Sequence, residues 1–147
     1  MIDCFQQLWE TKINRSERYS FYRSFKSLPQ QEEYLKIITI NKFRAAFTRF
    51  RLGMNELKMN RYFVNNALET ICPFCLDTED SLHFMLYCKG YKLIRDKYLE
   101  KHIKHHYPTE LLCKHIFGNK NHNVVRDVAM YIFYALKYRE EYLSLSI

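Results

Sequence analysis

Glycine and proline are both scarce, at three residues each in a chain of 147. Turns built on those two residue types are therefore few. That excludes a many-stranded fold with frequent tight turns and favours helices. No stretch approaches the ~20 consecutive apolar residues needed to span a bilayer. The opening residues Met1-Ile2-Asp3-Cys4-Phe5-Gln6-Gln7 lack the basic and apolar regions of a secretory signal, so the expectation is an intracellular protein of the nucleus or cytoplasm, with no membrane partner. In that compartment five cysteines read as thiols or metal ligands rather than disulfides.

Core-forming residues, by contrast, are abundant. Hydrophobic residues make up 48% of the chain, with twelve Tyr and eleven Phe. Disordered chains lack that apolar material. The length suits one mainly α domain with a small embedded module, divided here into an N-terminal helical region (1–69), a metal module (70–90) and C-terminal helices on the same core (91–147). Residues 2–12 and 15–27 read as amphipathic helices, with Ser16 as a possible cap and Pro29 as a stop, and 32–38 can begin a third. The clearest helix is 40–52, where Phe43, Ala46, Phe47 and Phe50 form one stripe before Gly53. Residues 57–68 stay ambiguous. Further helices are expected at 91–106, from Pro108 to Phe117 before Gly118, and at 123–143.

The most specific pattern is Cys72-x2-Cys75-x7-His83-x4-Cys88. Thiolate and imidazole are the donors that zinc takes in a tetrahedron, and two intervening residues let both sulfurs of a knuckle reach one ion. Pro73 stiffens that knuckle. Asp80 or Ser81 can cap a short helix over 82–87 that carries His83 in its first turn and Cys88 at its end. Four protein ligands leave no open position for water, so one structural Zn2+ is expected rather than a catalytic one.

Three runs around these residues resemble a known family: Phe47-Thr48-Arg49-Phe50-Arg51-Leu52-Gly53, Thr70-Ile71-Cys72-Pro73-Phe74-Cys75 and Glu79-Asp80-Ser81-Leu82-His83-Phe84-Met85-Leu86-Tyr87-Cys88. Together they resemble the C-terminal region of non-LTR (LINE-type) retrotransposon reverse-transcriptase polyproteins. There a Thr-Arg-x-Arg-x-Gly-like helix precedes a finger of this spacing. The resemblance is specific over residues 43–98, and it implies the same four metal ligands and an accessory region that handles RNA or a DNA target. Lys89 stands where that family has Pro after the last Cys. No Tyr-x-Asp-Asp polymerase motif or acidic nuclease cluster is present, so no catalysis and no small-molecule substrate are expected. The chain resembles a detached remnant of such a polyprotein or a gene derived from one.

Charge is distributed unevenly. Residues 40–61 hold six basic residues and one acidic, residues 89–106 hold six and two, and the loop between the cysteines and His83 is acidic through Asp77, Glu79 and Asp80. Two basic blocks flanking an acidic module suit a polyanion. The expected phosphate contacts are Lys42, Arg44, Arg49, Arg51, Lys89, Lys92, Arg95, Lys97, Lys101 and Lys104, with Tyr62, Phe63 or Tyr91 as stacking faces for RNA or single-stranded DNA. The finger is then expected to hold helices 40–52 and 91–106 in one surface. The alternative is a zinc-stapled helical scaffold for a protein partner, with solvated basic faces. His102, His105, His106, Cys113 and His115 could form a second metal site, but exposed imidazoles on a basic helix are the expected reading. Cys4 and Cys113 are expected to be small buried hydrophobes.

Overall fold

A computed structural model describes residues 4–55, 57 and 70–146. Among the described residues seven α-helices follow one another: α1 Cys4–Arg15, α2 Ser20–Arg23, α3 Tyr34–Ile37, α4 Asn41–Arg51, α5 Lys92–Tyr98, α6 Thr109–Phe117 and α7 His122–Leu145. Short 3-10 turns precede α2 and flank α5, and a π turn spans His83–Tyr87. Among the described residues the extended pairing is one antiparallel bridge between Ile71 and Thr78. The protein is mainly α. No described helix is long and apolar enough to cross a membrane.

The spine is α7. Asn121 caps it, its side chain accepting from the N–H groups of Asn123 (2.9 Å) and Val124 (3.4 Å). Val125, Val128, Ala129, Tyr131, Ile132 and Ala135 are fully or almost fully buried, so the helix is covered on more than one side. On α4, Phe43 meets Phe133 of α7 edge-on at 5.2 Å. On α5, Tyr98 stacks on Tyr134 of α7 at 5.5 Å and 11°. Phe117 of α6 lies against Phe21, Phe25, Phe47 and Phe50, which ties the N-terminal helices to the same core.

Gly53 stops α4. Its N–H bonds to the Phe50 carbonyl (3.1 Å) and that of Met54 to the Arg49 carbonyl (2.8 Å), the pairing of a Schellman cap. Gly53 sits at φ +66°, and a Cβ there would lie 2.7 Å from the Arg18 carbonyl oxygen.

Two expected helices are shorter. The 15–27 segment is a 3-10 turn plus α2, ending at Arg23, and the Ser16 side chain makes no cap bond. Arg23 instead folds back to the carbonyls of Ile13 (2.6 Å) and Ser16 (2.8 Å), while Ser24 Oγ bonds the Phe21 carbonyl and competes with the helix pattern. The 91–106 segment leaves α geometry after Tyr98 and tightens into a 3-10 turn at Glu100–His102. Cys113 is buried as expected, but Cys4 is exposed at the start of α1. The ambiguous stretch 57–68 lies, apart from Leu57, outside the described residues.

Candidate metal centre and the basic residues around it

The knuckle is built by backbone hydrogen bonds. Cys72 N–H donates to the Asp77 carbonyl (2.7 Å), Glu79 N–H to the Thr70 carbonyl (2.7 Å) and Leu76 N–H to the Cys72 carbonyl (3.1 Å). These close a loop tight enough to force Leu76 to φ +68°, a left-handed conformation that a side chain resists. Asp80 Oδ1 then accepts from the N–H of His83 at 2.7 Å, capping the next turn. That turn is π-type: Cys88 N–H reaches back five residues to the His83 carbonyl (2.8 Å), which returns Cys88 to the side of His83.

The four donor atoms of Cys72, Cys75, His83 and Cys88 lie within 4.8 Å of one another. Cys72 Sγ is 3.6 Å from Cys88 Sγ, Cys75 Sγ is 3.8 Å from Cys88 Sγ, and Cys75 Sγ is 3.2 Å from His83 Nε2. Bonded sulfurs would be about 2.05 Å apart. A tetrahedron with metal–sulfur bonds of about 2.3 Å and metal–nitrogen bonds of about 2.0–2.1 Å has edges of about 3.8 Å between sulfurs and about 3.6 Å from sulfur to nitrogen. The three short separations are thus close to those edges, and the four donors are near enough to hold one metal ion. Among the described residues no other His, Cys, Asp or Glu group converges in this way.

Cys72 and Cys88 are wholly buried and His83 nearly so. Burial raises the Cys72 thiol pKa, opposed by the backbone N–H groups of Phe74 and Cys75 that point at its sulfur. Burial pushes Cys88 up to about 12, opposed by the Gly90 N–H and reinforced by Cys72. Buried thiols without a cation stay protonated; a divalent ion supplies the missing charge and reverses that preference. Gly90 has a second role: a Cβ there would lie 2.5 Å from Phe74 Cβ and Cγ, so glycine is needed for that ring to pack.

The module is fastened to the helices by contacts that sequence reading missed. Glu79 is fully buried and takes a bidentate pair from Arg139 of α7, Nε and Nη2 both at 2.7 Å. Burial alone would lower the Arg139 pKa, but the Glu79 carboxylate more than offsets it and the net direction is up. Tyr131 Oη donates to the Phe84 carbonyl at 2.5 Å. Phe74 stacks on Tyr138 at 5.4 Å and meets Tyr91 at 5.0 Å. The sequence signal for Glu79 was its place in an acidic loop, which reads equally well as a solvated one.

The structure separates the expected phosphate contacts into three groups. Lys42, Arg49, Lys89, Lys92, Lys97, Lys101 and Lys104 are exposed. Arg51 and Arg95 are not surface residues. Arg51 is 3% exposed. Its guanidinium bonds the Phe117 carbonyl and Glu32 (2.9 Å), beneath the rings of Phe25 and Tyr34 at 4.7 and 4.8 Å. Arg95 is 7% exposed and donates to the Cys88 carbonyl at 2.9 Å. Arg44 is half-buried against Asn41 and the Ile38 carbonyl. Lys92 is paired with Asp96, and Lys101 with Asp127. Tyr91 is fully buried and offers no stacking face; Tyr62 and Phe63 lie outside the described residues.

The imidazoles of the second block disperse to other partners. His102 bonds Asp127 (2.9 Å), His105 bonds Glu100 (2.7 Å), and His106 and His115 pack against Tyr107.

One link between the basic blocks is new. Tyr134 of α7 touches Phe43 from the first block (5.8 Å between centroids) and Tyr98 from the second (5.5 Å). Lys42 lies 5.1 Å from the centroids of Phe43 and Phe133, and Lys97 5.0 Å from that of Tyr98. Lys137, exposed and three residues beyond Tyr134, lines the same shallow groove as Lys97, Tyr98 and Tyr134, where it is paired with the exposed Glu141 at 3.8 Å. No protein-family model, curated protein or solved structure matches the chain.

Proposed function

We propose that the protein is a non-catalytic module in which one structural zinc ion braces a helical domain that binds RNA or single-stranded DNA, of the kind found at the C-terminus of LINE-type reverse-transcriptase polyproteins. The observation that carries the binding surface is the ring of Tyr134, where α4 and α5 meet α7. It gathers Lys42, Lys97 and Lys137 around half-buried aromatic faces, the combination that single-strand binders use. Arg49 extends this surface along α4, seven residues from Lys42 and on the same exposed side. The metal loop is acidic, so it acts as the brace and the helices carry the contact.

Titration of a labelled single-stranded oligonucleotide at two salt concentrations tests this. Neutralising about four phosphates on a single strand gives a log–log slope near −3, a loss of roughly 50-fold between about 50 and 200 mM salt. Changing Lys42, Lys97 and Lys137 together to Glu should remove the binding. Salt-independent affinity, or affinity that survives the triple change, defeats the reading. A protein-binding scaffold is favoured by one observation: Leu93 of α5 is 84% exposed beside the same groove. Loss of oligonucleotide affinity on Lys substitution distinguishes the two, because an apolar docking face would not need the charges.

A further inference from the structure

We infer that Arg95 is the counter-charge of the metal centre and sets its affinity for the ion; the inference rests on zinc occupying the Cys3His site. Three thiolates and one neutral imidazole around a divalent ion leave a net charge of −1 in a buried place. Glu79 cannot balance it, being an anion itself and already joined to Arg139 in a neutral pair. Arg95 is the complementary case. It is 7% exposed, has no carboxylate within ion-pair distance among the described residues, and its Nη1 is buried with no hydrogen-bond partner there. Its Nη2 is anchored on the carbonyl of Cys88, a ligand residue, at 2.9 Å, and the guanidinium also lies against the neutral hydroxyl of Tyr131, which supplies no anion.

A buried guanidinium with no anion is costly, because its charge is taken out of water without compensation. The loaded metal centre supplies the missing anion, with Cys88 as the bridge. Arg95 is thus a positioning residue for the centre, and the centre is what makes a buried Arg95 tolerable. Outer groups of this sort change metal affinity by about 10–100-fold in other proteins.

The test separates charge from packing. Zinc affinity is measured by competition with a chromogenic chelator for the wild type, Arg95→Gln and Arg95→Lys. Gln can still bond the Cys88 carbonyl but carries no charge; Lys keeps the charge without the planar fork. The expected order is wild type, then Lys, then Gln, with Gln weaker by about 10–100-fold. Gln equal to or tighter than Lys overturns the inference. The same comparison is repeated on Cys75→His, whose loaded centre is neutral. There the penalty of Arg95→Gln should vanish; an undiminished penalty overturns the inference. Should Arg95→Gln alone fail to fold in saturating zinc, the neutral centre should restore folding, and continued failure counts against it. A wild type that binds no zinc defeats the metal reading itself, a separate outcome.

Discussion

Of the three buried arginines, Arg51 and Arg139 both meet a carboxylate, and they are satisfied in different ways. At the N-terminal end, Arg51 meets a carboxylate, a carbonyl and several ring faces: Glu32, Phe117 and the rings of Tyr22, Phe25, Tyr34 and Phe47. Glu32 is 22% exposed and also serves Lys26 and Tyr22. At the metal end, Arg139 relies on a bidentate pair with a fully buried Glu79. The N-terminal site has several overlapping partners and water within reach. The site beside the metal is enclosed and specific, so loss of the Glu79 carboxylate strands Arg139. Buried pairs behave in this second way: breaking them costs more than their formation contributes.

The largest break should come from the metal. Chelation, or Cys75→Ser, removes the centre that links the knuckle, the π turn and α5. Structural zinc contributes about 10–16 kcal/mol in zinc-finger peptides, so loss of helical circular dichroism on chelation and its recovery on adding zinc are expected. A chelated protein with unchanged melting would show that the core holds the module alone. The core itself argues against that, because Cys72, Phe84, Cys88 and Tyr91 belong to the same buried cluster as Phe47 and Phe50.

Next in size comes the carboxylate at each arginine. Glu79→Ala should cost about 3–5 kcal/mol by leaving Arg139 buried and unpaired. Glu32→Ala should cost less, about 1–3 kcal/mol, the range of one charge-assisted hydrogen bond, since Arg51 keeps the Phe117 carbonyl and the ring faces. Urea midpoints of the two variants give the comparison directly. Equal losses would erase the distinction between the two ends.

The smallest effect is an acid-sensitive one at Asp127 of α7, where it meets the 3-10 turn after α5. Burial pushes the Asp127 carboxyl pKa up, but hydrogen bonds and charge from Lys101 and His102 outweigh it and the net direction is down. A carboxyl whose folded pKa lies below its unfolded value of about 3.9 contributes stability above that value and loses it as pH falls through the folded one. The gap in urea midpoint between wild type and Asp127→Asn should therefore be full near pH 5 and close as the pH drops below about 4. A gap that persists at pH 2 would mean that Asp127 acts by packing rather than by charge.

The local order of the chain was enough for the cluster of four candidate ligands and for the helices with strong periodicity. Cys72 and Cys75 have two residues between them, and one π turn joins His83 to Cys88, so their convergence needs only short-range backbone geometry. The stripe Phe43, Ala46, Phe47 and Phe50, with Gly53 behind it, likewise dictates a helix and its end before any partner is known. The caps at Asp80 and Gly53 belong to the same class.

Only the tertiary structure decided which basic residues face water. Arg51 and Arg49 look alike in sequence, yet the partners that draw Arg51 inward, Glu32 and Phe117, stand 19 and 66 residues away. Arg139 finds Glu79 across 60 residues, and Tyr134 joins Phe43 to Tyr98 from separate parts of the chain. A ligand's spacing is a property of the local backbone. The burial of a charge depends on the partner that satisfies it, and that partner is brought close only when α7 gathers the other helices around it.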